Sequence, residues 1–186
     1  MGIRFIGSLI LFSIMLFGCN TSDGRRARAL ELLNEVNQIS GESSEGLKSG
    51  NIQAAIARLD EYKKTFPDHR AQIRNDAQMV KESFEKEIAI DQKTEEKLGE
   101  VLTLGPSKED ADCIKSRIKF QQLLTRRIQS YVSELKILLD ESVVDQKILQ
   151  RMITPFQEKG AQLNLQASEL QKEISKVCSK SSFKVN

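Results

Sequence analysis

Tryptophan is absent from this 186-residue chain, histidine occurs once, proline three times, and aromatic residues make up only 5% of it. So few rings leave little material for a large aromatic ligand cavity. A lone histidine, His69, with no cysteine or acidic cluster at ligand spacing, does not make a zinc site, so neither metal nor cofactor is expected. Neither sign of charge prevails: 28 Lys and Arg face 26 Asp and Glu, for a net charge of +2. The concentrated basic face that displaces counterions from phosphates is therefore missing, which excludes a dedicated nucleic-acid partner. No run alternates β-branched and polar residues, and no Asn-Gly hairpin dipeptide occurs, so strands have no signature here.

Present instead are 39% hydrophobic and 29% charged residues in a chain of ordinary domain length. That composition is neither disordered, collagen-like nor disulfide-dense, and it predicts one folded unit. Ahead of it, Arg4 precedes a run from Phe5 to Phe17 that is apolar apart from Gly7, Ser8 and Ser13. The sequence then turns polar at Asn20-Thr21-Ser22-Asp23-Gly24. This is the layout of an export signal. As a helix the 13-residue run rises about 20 Å, short of the roughly 30 Å hydrocarbon core, which disfavours a stable span.

Leu16-Phe17-Gly18-Cys19 resembles the lipobox of bacterial lipoproteins, in which Leu, a small residue and Gly or Ala precede Cys; Phe17 is bulkier than that pattern. The resemblance implies a signal peptide over 1–18, cleavage after Gly18, and acylation of Cys19 by diacylglyceryl and N-acyl groups. Several acyl chains hold a protein stably to a bilayer, each buried CH₂ contributing about 0.8 kcal/mol. Loss of residues 1–18 leaves 168 residues and takes the formal charge from +2 to +1. Asn20 stands where an Asp commonly retains such lipoproteins in the inner membrane, which favours the outer membrane of the bacterial cell envelope. An ordinary signal peptide or anchor with Cys19 incidental is the alternative. Myristoylation of Gly2 is rejected because Ile6 occupies the position of the required Ser or Thr.

After a tether over 19–24, apolar residues recur at spacings of three and four, which predicts an all-α helical bundle. The N-terminal helices occupy 25–104. A first helix is expected from Arg25 to Ile39, ended by the breaker cluster Ser40–Gly46. Asn51 is the expected cap of a second, carrying Ile52, Ala55, Leu59 and Phe66 and stopped at Pro67. Asp68 should cap a third, whose stripe from Ile73 through Val80 and Phe84 continues to Leu102, with a break possible over Asp91–Lys97. Residues 105–180 form the second half of the same domain, a long antiparallel C-terminal hairpin, with 181–186 as a tail. Ser107 and Asp110 resemble a capping box for its first helix, reaching about Asp140. Ser142 and Asp145 offer another start, and Thr154-Pro155 either a restart or a kink.

Leu149, Phe156, Leu163, Leu170 and Val177 repeat every seven residues, with Ile153, Gly160, Ala167 and Ile174 four places on. Such a seam wants a partner helix, either the preceding helix or another protein. Cys113 and Cys178, an even pair once Cys19 is set aside, form a candidate disulfide. A turn at 140–145 lies midway between them and brings them level; a reversal at Thr154 would hold them apart. A reactive-thiol role finds no Cys-x-x-Cys.

Other constellations carry little chemistry. Gly46-Leu47-Lys48-Ser49 lacks the Gly directly before Lys that a phosphate-binding loop needs. Glu95-Glu96 and Glu109-Asp110-Asp112 read as solvated helix faces beside Lys and Arg. Arg25, Arg26 and Arg28 would sit near the bilayer, facing either headgroups or water. Gly50, Ala55, Leu59 and Pro67 are similar in spacing to one tetratricopeptide unit around 36–69, with no second unit following.

The function expected is that of a non-catalytic interaction or scaffold lipoprotein. It would be attached to the membrane through acyl chains on Cys19 and contact an envelope protein through the Ser40–Gly50 loop or a seam around Phe156 and Leu163. Alternatives are a small-ligand-binding lipoprotein and a cell-wall hydrolase.

Overall fold

The computed structural model describes residues 22–183 apart from 48 and 67, and leaves aside the side chains of 42–47. The signal segment, the lipobox-like tetrapeptide with Cys19, and Asn20 lie outside the described residues. Five helices and no strand occur among those described: α1 Ser22–Leu47, α2 Gly50–Tyr62, α3 Arg70–Thr103, α4 Lys108–Leu139 and α5 Gln146–Cys178. They form an all-helical bundle. Both α1 and α2 lie on α3, α3 packs on α4, and α4 pairs with α5 in a long antiparallel hairpin.

The expected end of α1 at Ile39 is overturned: the helix runs on through Ser40 and Gly41 to Leu47. Each glycine costs a helix about 1 kcal/mol relative to Ala, but no proline intervenes and every added residue closes another backbone hydrogen bond. The helix ends at Leu47 and the next opens at Gly50. There Ser49, not Asn51, caps α2, its hydroxyl accepting from the Ile52 N–H. That helix stops at Tyr62, before Pro67, and Phe66 folds back into the core at 5% exposure. His69 rather than Asp68 occupies the cap position of α3, with no side-chain capping bond. Its ring stacks on Tyr62 at a centroid distance of 4.5 Å.

No break interrupts α3 at Asp91–Lys97; its 34 residues extend about 51 Å. It ends at Thr103, and Gly105 just beyond has a φ of 67°, which suits the left-handed turn after a helix. Ser107 then caps α4, accepting from the Asp110 N–H at 3.2 Å while donating to the Asp110 carboxylate at 2.8 Å. The chain reverses over 140–145, where the Asp140 carboxylate accepts from the N–H and hydroxyl of Ser142. Asp145 caps α5 by accepting from the N–H groups of Lys147 and Ile148. Neither restart nor reversal occurs at Thr154, and Pro155 lies inside α5.

The seven-residue seam is consumed within the chain. Leu149, Ile153, Gly160, Leu163 and Ala167 are buried along α5, whose neighbour is α4. This removes Phe156 and Leu163 as a free docking seam, since Leu163 is buried and Phe156 half-buried. Two apolar clusters hold the bundle. One joins Leu59, Ile73, Val80, Leu135 and Leu149 near the α4–α5 turn, and the other joins Leu32, Val36, Leu98, Ile114 and Phe183 at the opposite end. Between them the buried positions turn polar: Glu87, Asp91, Thr94 and Thr125.

Candidate functional site

The end of the bundle that carries Ser22 is tied together by two devices. Cys113 and Cys178 form a disulfide with Cα atoms 4.8 Å apart. One turn before Cys113, Asp110 holds the strap Ser181–Phe183 that follows α5. Its carboxylate accepts from the hydroxyl of Ser181 at 2.6 Å, the N–H and hydroxyl of Ser182 at 2.7 and 2.9 Å, and the Phe183 N–H at 3.4 Å. Burial works against the charge, but the hydroxyls of Ser181, Ser107 and Ser182 and the Ser182 N–H favour it, and the Asp110 pKa falls to about 2. The strap delivers Phe183 into the cluster of Leu32, Val36 and Leu98.

Beside the strap lies an open cleft of about 420 Å³ whose lining includes Ser22, Arg25, Arg26, Gly105, Glu109 and Lys180. A neighbouring cleft shares Glu109 and Lys180 and adds Lys108, Asp112 and Lys176. Cations thus rim the end nearest residue 22, with Glu109 and Asp112 among them. Arg28 does not join this rim; it pairs with Glu31 at 2.6 Å and Glu35 at 3.8 Å. The acidic run Glu109-Asp110-Asp112 divides in the structure, since Asp110 is buried as a structural anchor while Glu109 and Asp112 stay exposed.

In the middle of the bundle, the Asp91 carboxylate on α3 accepts from the Gln121 amide and, at 3.1 Å, from the Thr125 hydroxyl of α4. Burial, joined by the Glu87 charge one turn away, raises its pKa to about 6 against the opposing Thr125 and Gln121 bonds and the Arg127 charge. Glu95 accepts from Gln122 on α4. Towards the α4–α5 turn, Lys63 and Glu134 pair at 2.6 Å. They line a cleft of about 450 Å³ together with Phe84, Tyr131 and Gln157.

The chain matches no protein-family model, no curated protein and no solved structure. Its chemistry therefore rests on its own geometry. Among the described residues no group of three His, Cys, Asp or Glu is placed to hold a metal ion, and no helix is long and apolar enough to cross a membrane. Gly41, Gly46 and Leu47 lie within α1. Of the repeat-like positions, Gly50 opens α2, Ala55 and Leu59 are buried, and Pro67 lies outside the described residues.

At the end opposite Ser22, Val144, Ile148 and Met152 follow one another at intervals of four and are exposed. The sequence reading passed over Asp91, Glu134 and Arg117, and one signal marked the first. Between Phe84 and Leu98 the inward stripe of α3 continues through Glu87, Asp91 and Thr94. Polar residues at core-facing positions point to a buried polar site.

Proposed function

We propose that the protein is an exported bacterial lipoprotein, held in the cell envelope by acyl chains on Cys19, that acts without catalysis as a helical interaction module. The observation that carries this reading is a coincidence of position. The lipobox-like Leu16-Phe17-Gly18-Cys19 stops three residues before Ser22, and Ser22 lines the same cleft as Arg25, Arg26 and Lys180. Cations at an anchored end favour anionic headgroups by about 1 kcal/mol each near the surface. Asn20 after the Cys favours the outer membrane. The length of α3 then holds the α4–α5 turn about 50 Å from the bilayer. At that far end the exposed stripe of Val144, Ile148 and Met152 supports contact with an envelope protein.

Cys19→Ser tests the anchor. The variant is expected to leave the membrane fraction and to lose incorporation of a palmitate analogue, whereas a variant that stays bound and labelled contradicts the reading. A photo-crosslinking residue at Ile148 tests the stripe, with Leu165, 69% exposed on the middle of α5, as its control. A discrete adduct with an envelope protein is expected from Ile148 alone. Absence of an adduct at Ile148, or the same adducts from both positions, removes the stripe from the interaction surface.

A further inference from the structure

The cleft of about 450 Å³ beside Lys63 and Glu134 draws its described lining from α2, α3, α4 and α5. Ile56, Leu59, Val80 and Leu135 give it an apolar wall, and Phe84 and Tyr131 add two rings whose centroids lie 6.0 Å apart. Its polar side is built on one ammonium held by two carboxylates. Lys63 pairs with Glu134 at 2.6 Å and with Asp60 at 2.9 Å, and all three residues line the cleft. Burial works against the Lys63 charge, but the bonds and charges of Glu134 and Asp60 outweigh it and its pKa is raised. At neutral pH the trio therefore holds negative charge in excess. Glu134 is 4% exposed, and both hydrogen bonds it accepts, from Lys63 at 2.6 Å and the Gln157 amide at 3.2 Å, end on Oε1. Oε2 is the oxygen left to a ligand.

We infer that this cleft binds a primary alkylammonium ion, its nitrogen donating to Oε2 of Glu134 and its chain lying against Leu59, Val80 and the rings of Phe84 and Tyr131. The ammonium balances the charge that Asp60 and Glu134 hold beyond that of Lys63. Ring faces attract a cation as well, which an aliphatic wall alone does not. A carboxylate or phosphate would bring like charge to two carboxylates, and a neutral chain would fill the apolar wall but leave the excess charge unanswered. The volume falls within the range for small-ligand pockets. A free amine and the side chain of a lysine on a partner protein share this chemistry.

The cleft shares no residue with the anchor or with the stripe of Val144, Ile148 and Met152, so its failure would leave the anchored-module reading intact. Titration calorimetry at neutral pH on the detergent-solubilised full-length protein separates the sources. Pentylammonium stands for the free amine, Nα-acetyllysine amide for the lysine side chain, and pentanol and pentanoate are the neutral and anionic controls. Saturable binding of one cation or both at one site per chain is expected, and of neither control. Glu134→Gln keeps the shape and an acceptor for Lys63 while removing the excess charge, and should weaken the binding about tenfold. Asp60→Asn leaves the buried Lys63–Glu134 pair in place, since the Asp60 side chain is 68% exposed. It should weaken the binding about threefold, the effect of one exposed charge. No saturable binding of either cation, equal binding of pentanol or pentanoate, or binding unchanged in Glu134→Gln or in Asp60→Asn would each overturn the inference.

Discussion

Replacing Cys113 and Cys178 together with serine should lower the stability of the bundle by about 4 kcal/mol, the chain-entropy value for a loop of this length. The bond joins residues 65 apart in sequence and closes the open end of the α4–α5 hairpin. For a domain of this size the loss corresponds to a fall in melting temperature of roughly 10 °C. Thermal unfolding of the parent with and without reductant, beside the double variant, measures it. Reduced parent and variant should coincide. Amide exchange should rise first in Ser181–Phe183, because the strap's hold on Asp110 depends on α5 staying beside α4. A melting point unmoved by reduction would show that the disulfide adds nothing to the fold.

Asp91→Asn should have the opposite sign. Folding raises the Asp91 pKa from 3.8 to about 6, so the folded state binds the proton more tightly than the unfolded chain. Between those values stability falls as pH rises, and above pH 6 the ionised Asp91 costs roughly 2–3 kcal/mol. An asparagine keeps one oxygen to accept from Gln121 and offers its amide to the Thr125 hydroxyl without the charge. The variant should therefore melt about 5 °C higher at pH 7 and match the parent near pH 4. Asp110 acts in the other direction: its pKa, lowered from 3.8 to about 2, contributes stability that is present above 3.8 and lost as pH falls towards 2. Together the two carboxylates place the parent's greatest stability near pH 4. An Asp91→Asn protein less stable at every pH would mean that the carboxylate's hydrogen bonds outweigh its burial.

Helix period made the architecture legible. The stripes through Ile52, Ala55 and Leu59, and through Leu149, Ile153 and Leu163, report which face turns inward because side chains three and four apart share a helix face. Capping chemistry is local too, and Ser107 with Asp110 and Asp145 could be read from side chains alone. The passage from Ser40 to Leu47 misled because glycine and serine weaken a helix without ending it. The strap could not be read at all: Ser181 and Ser182 have no periodicity, and what holds them is Asp110, some 70 positions earlier.

The candidate sites divide along the same line. Cys19 stands out because its motif is contiguous. Arg117 does not, because its half-buried place in a cleft with Val36, Thr94 and Ile174 is a property of four helices packed together. Its neighbours in sequence, Lys115 and Lys119, carry the same charge into solvent. Only packing distinguishes the residue turned towards the cleft from those turned outward.

The anchored interaction module stands or falls on the mature N-terminus. Intact-mass and N-terminal peptide analysis of the protein extracted from membranes should find a chain that begins at Cys19 and carries diacylglyceryl and N-acyl groups on that cysteine. A chain that still begins at Met1, or one cut near Cys19 with the thiol unmodified, would contradict it.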